Sequence, residues 1–397
     1  MSSLRPVLII AIAFSPENQI GAFRPTRFAK YLPQFGYQPY VITATPQPEP
    51  HSCPVRRVPN EPSLATRVID RFFSAHLGLK DWLRGTLNAA EDVLLPLLSN
   101  SPIVFTTSPP APIHIPAMAL KERHNLRWVA DFRDPMIGNQ THRRAIDRAL
   151  DKRWEPRIAE LADGLVLNTE GLASDWKLRY PSQIGKMHAI PNGFDPEDGL
   201  GPLPPPARPH KVWMHTGSIY KRHYPRMLFE SLASVVSSNR WTMPLQLRFL
   251  GEIMVPEVLE EPGARLLTDR GLINCTNDRV PLAQALRETA ESDATIVFDH
   301  YRAAGNILIP AKTYDYIRIG KPILAFTAPQ TPLERLLKSS DIRHICIYDG
   351  DTQDAREKKL IEFSQLPPDP VQPSKSFLRS YSAPEQTRQL AAIFDRL

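Results

Sequence analysis

The sequence predicts an α/β protein of two successive domains, each built on a parallel sheet. Short apolar runs alternate with longer mixed segments, as they do where strands feed helices. The proline-rich stretch GLGPLPPPARPH, residues 199–210, breaks that alternation and suits neither a helix interior nor a central strand. The length of 397 residues allows two to three domains at about 150 residues each.

The chain opens on MSSLRPVLIIAIAFSPE. Its apolar run, Val7 to Phe14, is shorter than a membrane span, lacks a small-residue cleavage pattern and ends in a turn-like Ser-Pro-Glu. It reads as a buried first strand over 6–14, not as a signal peptide. Further strands are expected at 38–43, 102–106, 127–131, 163–168 and 186–190, with helices at 24–35, 63–97, 111–124, 141–160 and 170–179. After the proline-rich stretch the pattern restarts. Strands are expected at 211–216, 245–250, 271–275, 294–298, 322–327 and 344–348, and helices at 225–239, 280–290, 312–319, 330–339 and 353–364. A last helix over 381–397 carries Leu390, Ile393, Phe394 and Leu397 on one side. The resulting domains are 1–200, a linker at 201–210, 211–380 and the terminal helix 381–397.

Composition narrows the function. Hydrophobic residues make up 42% and charged residues 23%, which excludes a collagen-like, mostly disordered or mostly membrane-embedded chain and fits a soluble or peripheral globular one. A net charge of +6 with interleaved signs gives no reason to expect nucleic acid, although an anionic metabolite or an acidic lipid surface suits the sign. Cys53, Cys275 and Cys346 are odd in number and widely spaced, so neither a disulfide framework nor a cysteine zinc site is expected, and a reducing compartment fits.

Five segments place polar groups at the ends of expected strands. In NQIGAFRPTRFAK, residues 18–30, Gly21 lies in a strand-to-helix turn where backbone N–H groups can approach a phosphate. Arg24 and Arg27 are either helix-surface charges or a clamp for a diphosphate or acidic acceptor. No GxGxxG is present, which disfavours a nicotinamide-dependent enzyme. WVADFRDPM, residues 128–136, ends a strand in Asp131, Arg133 and Asp134, on the side where open α/β sheets bind ligands. An Asp–Arg pair bracing the loop is compatible with a ligand role for Asp134, and His114 reads as a structural histidine more readily than a catalytic one. IPNGFDP, residues 190–196, reads as hinge architecture through its Asn192-Gly193 turn. HTGSIYKRHYPR, residues 215–226, ends a strand in Gly217-Ser218 and brings Lys221 and Arg222 ahead of a helix, a supply of N–H donors and cations for a diphosphate. In GNILIPAKTYDYIRIGKPILAF, residues 305–326, Lys312 and Asp315 stand three apart on one helix. They are either a solvated pair or a grip on a nucleoside diphosphate, lysine to phosphate and carboxylate to ribose hydroxyls.

In order, the Gly21 turn, TTSPPAPIH, WVADFRDP, ADGLVLNTEG, IPNGFDP, HTGSIYKR and IPAKTYDYIRIGKPILAF resemble a retaining glycosyltransferase of the GT-B architecture. The chain is similar to glycosyltransferase family 4 and, within it, to the branch with an Asp-Phe-Arg-Asp-Pro motif, from about residue 6 to 395. The resemblance implies two Rossmann-like domains facing each other across a cleft, with the C-terminal helix crossing back to the N-terminal domain. It implies an acceptor domain in which Arg24, His114, Asp131 and Arg133 bind acceptor, and a donor domain for a UDP-, GDP- or TDP-linked sugar. Gly21, Gly217, Ser218, Lys221, Arg222, Ile273, Lys312 and Asp315 would then contact donor, with Ile273 to Val280 flanking the base. Asp134, Arg222 and Lys312 would carry the chemistry: the cations by stabilising the leaving diphosphate without a covalent step, and the Asp134 carboxylate by orienting the acceptor hydroxyl or the sugar. Closure about residues 191–210 would exclude water. Asp315 falls at the second glutamate of the family's E-x7-E motif, but Ile307 stands at the first, and Ser218 stands where an arginine is usual.

The resemblance further implies no cofactor and no divalent metal. It implies a glycan, lipid-linked or small-molecule acceptor, a monomer or dimer, and a cytoplasmic location with peripheral contact to the inner membrane face as one option. That option has its own sequence signal. In 63–97, Phe72, Phe73, Leu77, Leu79, Trp82 and Leu83 interleave with Arg67, Arg71, Lys80 and Arg84. This stretch either packs on its domain with snorkelling cations, meets anionic head groups, or lines the acceptor site. Two competing functions share the architecture: a sugar-nucleotide epimerase or phosphorylase, and a non-catalytic partner protein.

Overall fold

In the computed structural model, residues 4–17, 20–46, 53–139, 144–198, 201–219, 225–299 and 307–397 are described. The chain divides into two compact units, Met1–Asn192 with Ala383–Leu397, and Gly193–Ser382. The proline-rich 201–210 stretch, expected as a linker, belongs to the second unit. Side chains tie it there: Lys321 Nζ donates to the Leu203 carbonyl at 2.6 Å, and Arg208 donates to the Glu291 carbonyl.

The first unit runs β1 (Arg5–Ile10), α1 (Ile20–Tyr31), β2 (Tyr37–Thr43), β3 (Val55–Arg57), α2 (Leu64–Phe72), α3 (Lys80–Leu94) and β4 (Ile103–Ser108). It continues with α4 (His114–His124), β5 (Arg127–Phe132), α5 (Ala145–Leu161), β6 (Gly164–Leu167), α6 (Glu170–Arg179) and β7 (Met187–Ala189). Its seven strands form one parallel sheet in the order β3-β2-β1-β4-β5-β6-β7. The central strands are apolar on both faces because helices cover both, as in Val7 to Ile10 and Ile103 to Phe105.

The second unit runs β8 (Lys211–Thr216), α7 (Arg226–Ser237), β9 (Leu245–Leu250), α8 (Pro262–Asp269), β10 (Ile273–Thr276), α9 (Leu282–Glu291) and β11 (Ala294–Phe298). It closes with α10 (Lys312–Ile319), β12 (Ile323–Thr327), α11 (Pro332–Ser339), β13 (His344–Tyr348), α12 (Gln353–Ser364) and α13 (Lys375–Ser380). Six parallel strands follow the order β10-β9-β8-β11-β12-β13, so the strand order reverses between β8 and β11. Both units are Rossmann-like, as expected.

The last helix, α14 (Ala383–Phe394), returns to the first unit. Leu390, Ile393 and Phe394 enter the core beside Phe28 and Phe105, and the Tyr37 hydroxyl donates to Asp395 at 2.5 Å.

Two expectations need correction. The first strand ends at Ile10, not at residue 14. At Phe14 the backbone N–H and carbonyl both bond the Thr45 hydroxyl, at 2.8 and 3.1 Å, which diverts the chain from the sheet ladder. The long helix over 63–97 is two helices. The buried Asp147 carboxylate accepts from the Ser74 hydroxyl and from the backbone N–H groups of Ala75 and His76, and so holds the chain in a turn there.

Candidate functional site

In each unit the polar groups singled out from the sequence gather at the C-terminal strand ends, where open parallel sheets receive ligands.

In the first unit the Arg24 guanidinium, on α1, reaches Asp131 on β5. Nε donates to both carboxylate oxygens at 3.0 and 3.2 Å, and Nη2 donates to Oδ1 at 2.8 Å. The same guanidinium donates to the carbonyls of Pro191 and Ile190, and Asp131 also accepts from the Thr107 hydroxyl at 2.6 Å. Both side chains are buried. Arg133 is buried as well, and its three nitrogens donate to the carbonyls of Ser108, Gly21 and Pro109 at 2.8–3.0 Å. Burial pulls its pKa down, and the neighbouring Asp131 and Asp134 charges oppose that pull. The expected acceptor contacts Arg24, Asp131 and Arg133 are therefore an internal brace that ties α1, β5 and the segment after β7 together. Their donors and acceptors are turned toward protein.

His114 is fully buried at the start of α4, 4.5 Å from the Phe132 ring by centroids, with Nδ1 2.7 Å from the Thr106 hydroxyl. Burial lowers its pKa to about 3, so the ring is neutral. Gly21 is the second residue of α1 and has no positive φ. Its carbonyl receives Arg133, and a Cβ at this position would stand 3.4 Å from that guanidinium. Asp134, two residues past the end of β5, is half-buried, as is Gly21.

In the second unit, Gly217 closes β8 with φ +96, and its N–H donates to the Leu250 carbonyl at 2.8 Å. A Cβ on Gly217 would lie 3.0 Å from Lys312 Nζ, and one on Gly251 would come within 2.7 Å of the Gly217 carbonyl group. Two glycines thus let the β8 and β9 turns touch while the lysine lies against the first. Lys312 opens α10, and its Nζ is 3.1 Å from His215 Nε2. His215 Nδ1 lies 2.9 Å from the Ile296 carbonyl, which can only accept. That fixes the proton on Nδ1 and leaves the Nε2 lone pair for the ammonium. Burial lowers the Lys312 pKa to about 7.

From the same helix the Tyr316 hydroxyl accepts from the Thr216 N–H at 2.8 Å, pinning the end of β8. Asp315, half-buried, is 3.7 Å from Arg318, whose Nη1 donates to the Asp195 carbonyl at 2.6 Å. Ser218 is half-buried beside Gly217.

Ile273 does not join this group. It opens the edge strand β10 opposite Leu247, which is itself opposite Trp213, so it sits four residues, about 13 Å, short of the Gly217 turn along the strands. Thr276 is the β10 residue level with Leu250 and the strand ends. Lys221 and Arg222 lie outside the described residues.

Sequence reasoning missed two residues here. His215 stands at the start of HTGSIYKR but reads there as an ordinary strand residue, since nothing local marks a histidine whose partner is 97 positions away. Asp299, at the end of β11, accepts from the Thr327 hydroxyl at 2.9 Å. Burial, assisted by Asp349, raises its pKa to about 7. Among the described residues no group of three or more His, Cys, Asp and Glu side chains is placed to hold a metal ion.

Residues 26–198 match the sequence profile of Glycosyltransferase Family 4. No curated protein matches the chain by sequence. Solved structures share its fold. A glycosyltransferase from Rickettsia africae superposes with a TM-score of 0.64 at 13% identity, covering 98% of each chain. HepE of Anabaena, solved in complex with UDP-glucose, gives 0.66 at 12% identity over 99% of this chain and 100% of that one. The UDP-GlcNAc 2-epimerase of Methanocaldococcus jannaschii gives 0.55 at 10% identity, with 99% and 100% covered.

Proposed function

We propose that this protein is a family-4-type glycosyltransferase of GT-B architecture. It moves a sugar from a nucleotide-diphosphate sugar to an acceptor hydroxyl, with retention of configuration, in polysaccharide, glycolipid or decorated-metabolite biosynthesis. The observation that carries the reading is Lys312 Nζ seated on the Gly217 turn at the N-terminus of α10. A positive-φ glycine, a helix start and a lysine of lowered pKa converge there, as a diphosphate site requires. The profile match over 26–198 and the fold shared with UDP-glucose-bound HepE support the same class.

On this reading the diphosphate lies against the Gly217-Ser218 turn and Lys312, with Lys221 and Arg222 as further cations, and Asp315 accepts from the ribose hydroxyls. The acceptor oxygen bonds to the anomeric carbon as the bond to the diphosphate breaks; the diphosphate keeps the electron pair, and its departing oxygen takes the acceptor's hydroxyl proton. Lys312 stabilises the charge that develops on it. Asp134, just past β5, is assigned the orientation of the acceptor hydroxyl or the sugar.

The epimerase fold neighbour supports a second reading, isomerisation of the donor sugar itself. Incubation with a bound nucleotide sugar separates the two. A transferase forms glycosylated product only when acceptor is added, and NMR of that product reads the anomeric configuration. A donor that changes configuration at a ring carbon with no acceptor present would support the epimerase and contradict the transferase.

A further inference from the structure

Helix α2 has its apolar side turned outward. Leu64, Val68 and Phe72, spaced four apart on one stripe, are 80%, 51% and 66% exposed. Thr66 is the helix's buried residue.

Polar anchors hold the other side down. The Thr66 hydroxyl donates to Asp81 at 2.6 Å, and a Cβ on Gly78 would meet the Asp70 side chain at 2.6 Å. Arg144 donates to the carbonyls of Asp70 and Arg71 in the last turn, and Ser74 bonds Asp147. An ordinary surface helix of a globular protein does the reverse, burying its apolar stripe and solvating its polar one. Contiguous exposed apolar residues mark an interaction surface.

Charge selects the occupant. At 100° per residue Arg67 and Arg71 fall along one edge of the Leu64-Val68-Phe72 stripe, whereas Asp70, the only acid in the helix, falls on the anchored side. Both arginines are exposed, and the Arg71 guanidinium lies 5.5 Å from the Phe72 ring centroid. A stripe of three apolar side chains is far smaller than the roughly 20–30 residues a side of a stable protein interface. An apolar stripe with cations on its rim matches the boundary between acyl chains and anionic head groups.

We infer that α2 docks the protein on an anionic membrane surface, with Val68 and Phe72 entering the acyl boundary and Arg67 and Arg71 meeting lipid phosphates. This docking does not depend on the chemistry assigned to the second unit.

Co-sedimentation of the full chain with vesicles tests it, comparing phosphatidylcholine alone with a 7:3 mixture of phosphatidylcholine and phosphatidylglycerol. The chain is expected to pellet with the anionic vesicles at low salt and to be released by high salt. A Val68→Ser/Phe72→Ser variant should lower the bound fraction about tenfold with an unchanged melting temperature, and Arg67→Gln/Arg71→Gln should weaken anionic binding several-fold. Absence of binding to anionic vesicles, or binding that survives both variants, overturns the inference. So does a concentration-dependent dimer in light scattering that Val68→Ser/Phe72→Ser dissolves, since the patch would then belong to a second copy.

Discussion

Lys312 Nζ is held 3.1 Å from His215 Nε2, on an imidazole whose Nδ1 proton is committed to the Ile296 carbonyl 2.9 Å away. The histidine therefore sets where the ammonium points, against the Gly217 turn, while its own ring stays buried. His215→Leu should remove that support and weaken nucleotide binding about tenfold by calorimetry. Lys312→Ala should cost more, because a charge-assisted hydrogen bond to phosphate is worth roughly 1.5–3 kcal/mol.

Gly217→Ala should injure binding as well as stability. Its φ of +96 disfavours any side chain, at about 1–2 kcal/mol, and the added Cβ would crowd Lys312 Nζ at 3.0 Å. Gly36 is the control, with φ +88 and nothing within 4 Å of where a Cβ would stand. Gly36→Ala should lower the melting temperature comparably and leave nucleotide affinity unchanged.

The lowered pKa of Lys312, about 7, predicts a pH dependence. Its ammonium form binds a diphosphate, so affinity should be highest below pH 7 and fall as pH rises through it, since deprotonation removes the charge. Lys312→Arg keeps its charge throughout and should show no such fall between pH 7 and 9. Calorimetric titrations across that range, on the wild type and this variant, check both expectations.

The Arg24–Asp131 pair carries a different expectation. Both groups are buried, and removal of either leaves the other as an unpaired buried charge. Asp131→Ala should therefore destabilise the protein by about 3–5 kcal/mol in chemical denaturation. An acceptor-binding role for Asp131 predicts instead a raised acceptor KM in a protein of normal stability.

His114 gives an acid-sensitive term. Its folded pKa of about 3 lies below the unfolded value of 6.5, so the fold favours the neutral ring. The contribution is complete above pH 6.5 and is lost as pH falls from there toward 3. Between pH 7 and pH 5 it amounts to about 2 kcal/mol of stability. His114→Phe should lose correspondingly less over that interval in paired denaturation curves.

Much of the second unit was legible because buried parallel strands are apolar on both faces. Strands at Lys211–Thr216, Leu245–Leu250, Ala294–Phe298 and His344–Tyr348 coincide with the apolar runs in the sequence. Helix α8 was not expected, and Pro262-Gly263 near its start are poor helix-interior residues. Pro262 is instead the first helical residue, and a Cβ on Gly263 would come within 3.0 Å of the Phe229 backbone on α7.

The site was legible in a narrower sense. Residue types and strand ends located Asp131, Gly217 and Lys312, because strands of a parallel sheet all end on one side. Partnership was not legible. Arg24 finds Asp131 107 positions away and Lys312 finds His215 97 away, and no local spacing encodes either pairing. An arginine braced by a buried carboxylate and one free for a ligand look identical in a sequence. Ile273 misled for a related reason, since a strand's first and last residues are neighbours in sequence but lie at opposite ends of the sheet.

The central claim, that the Gly217 turn and Lys312 hold the diphosphate of a nucleotide sugar, is tested most directly by calorimetric titration of UDP, GDP and TDP, and of their glucose conjugates, into the wild-type chain and Lys312→Ala. The account predicts that one nucleotide family binds the wild type with a Kd between about 1 μM and 1 mM, and binds Lys312→Ala at least about tenfold more weakly. No binding at millimolar concentration, or binding that Lys312→Ala leaves unchanged, would contradict it.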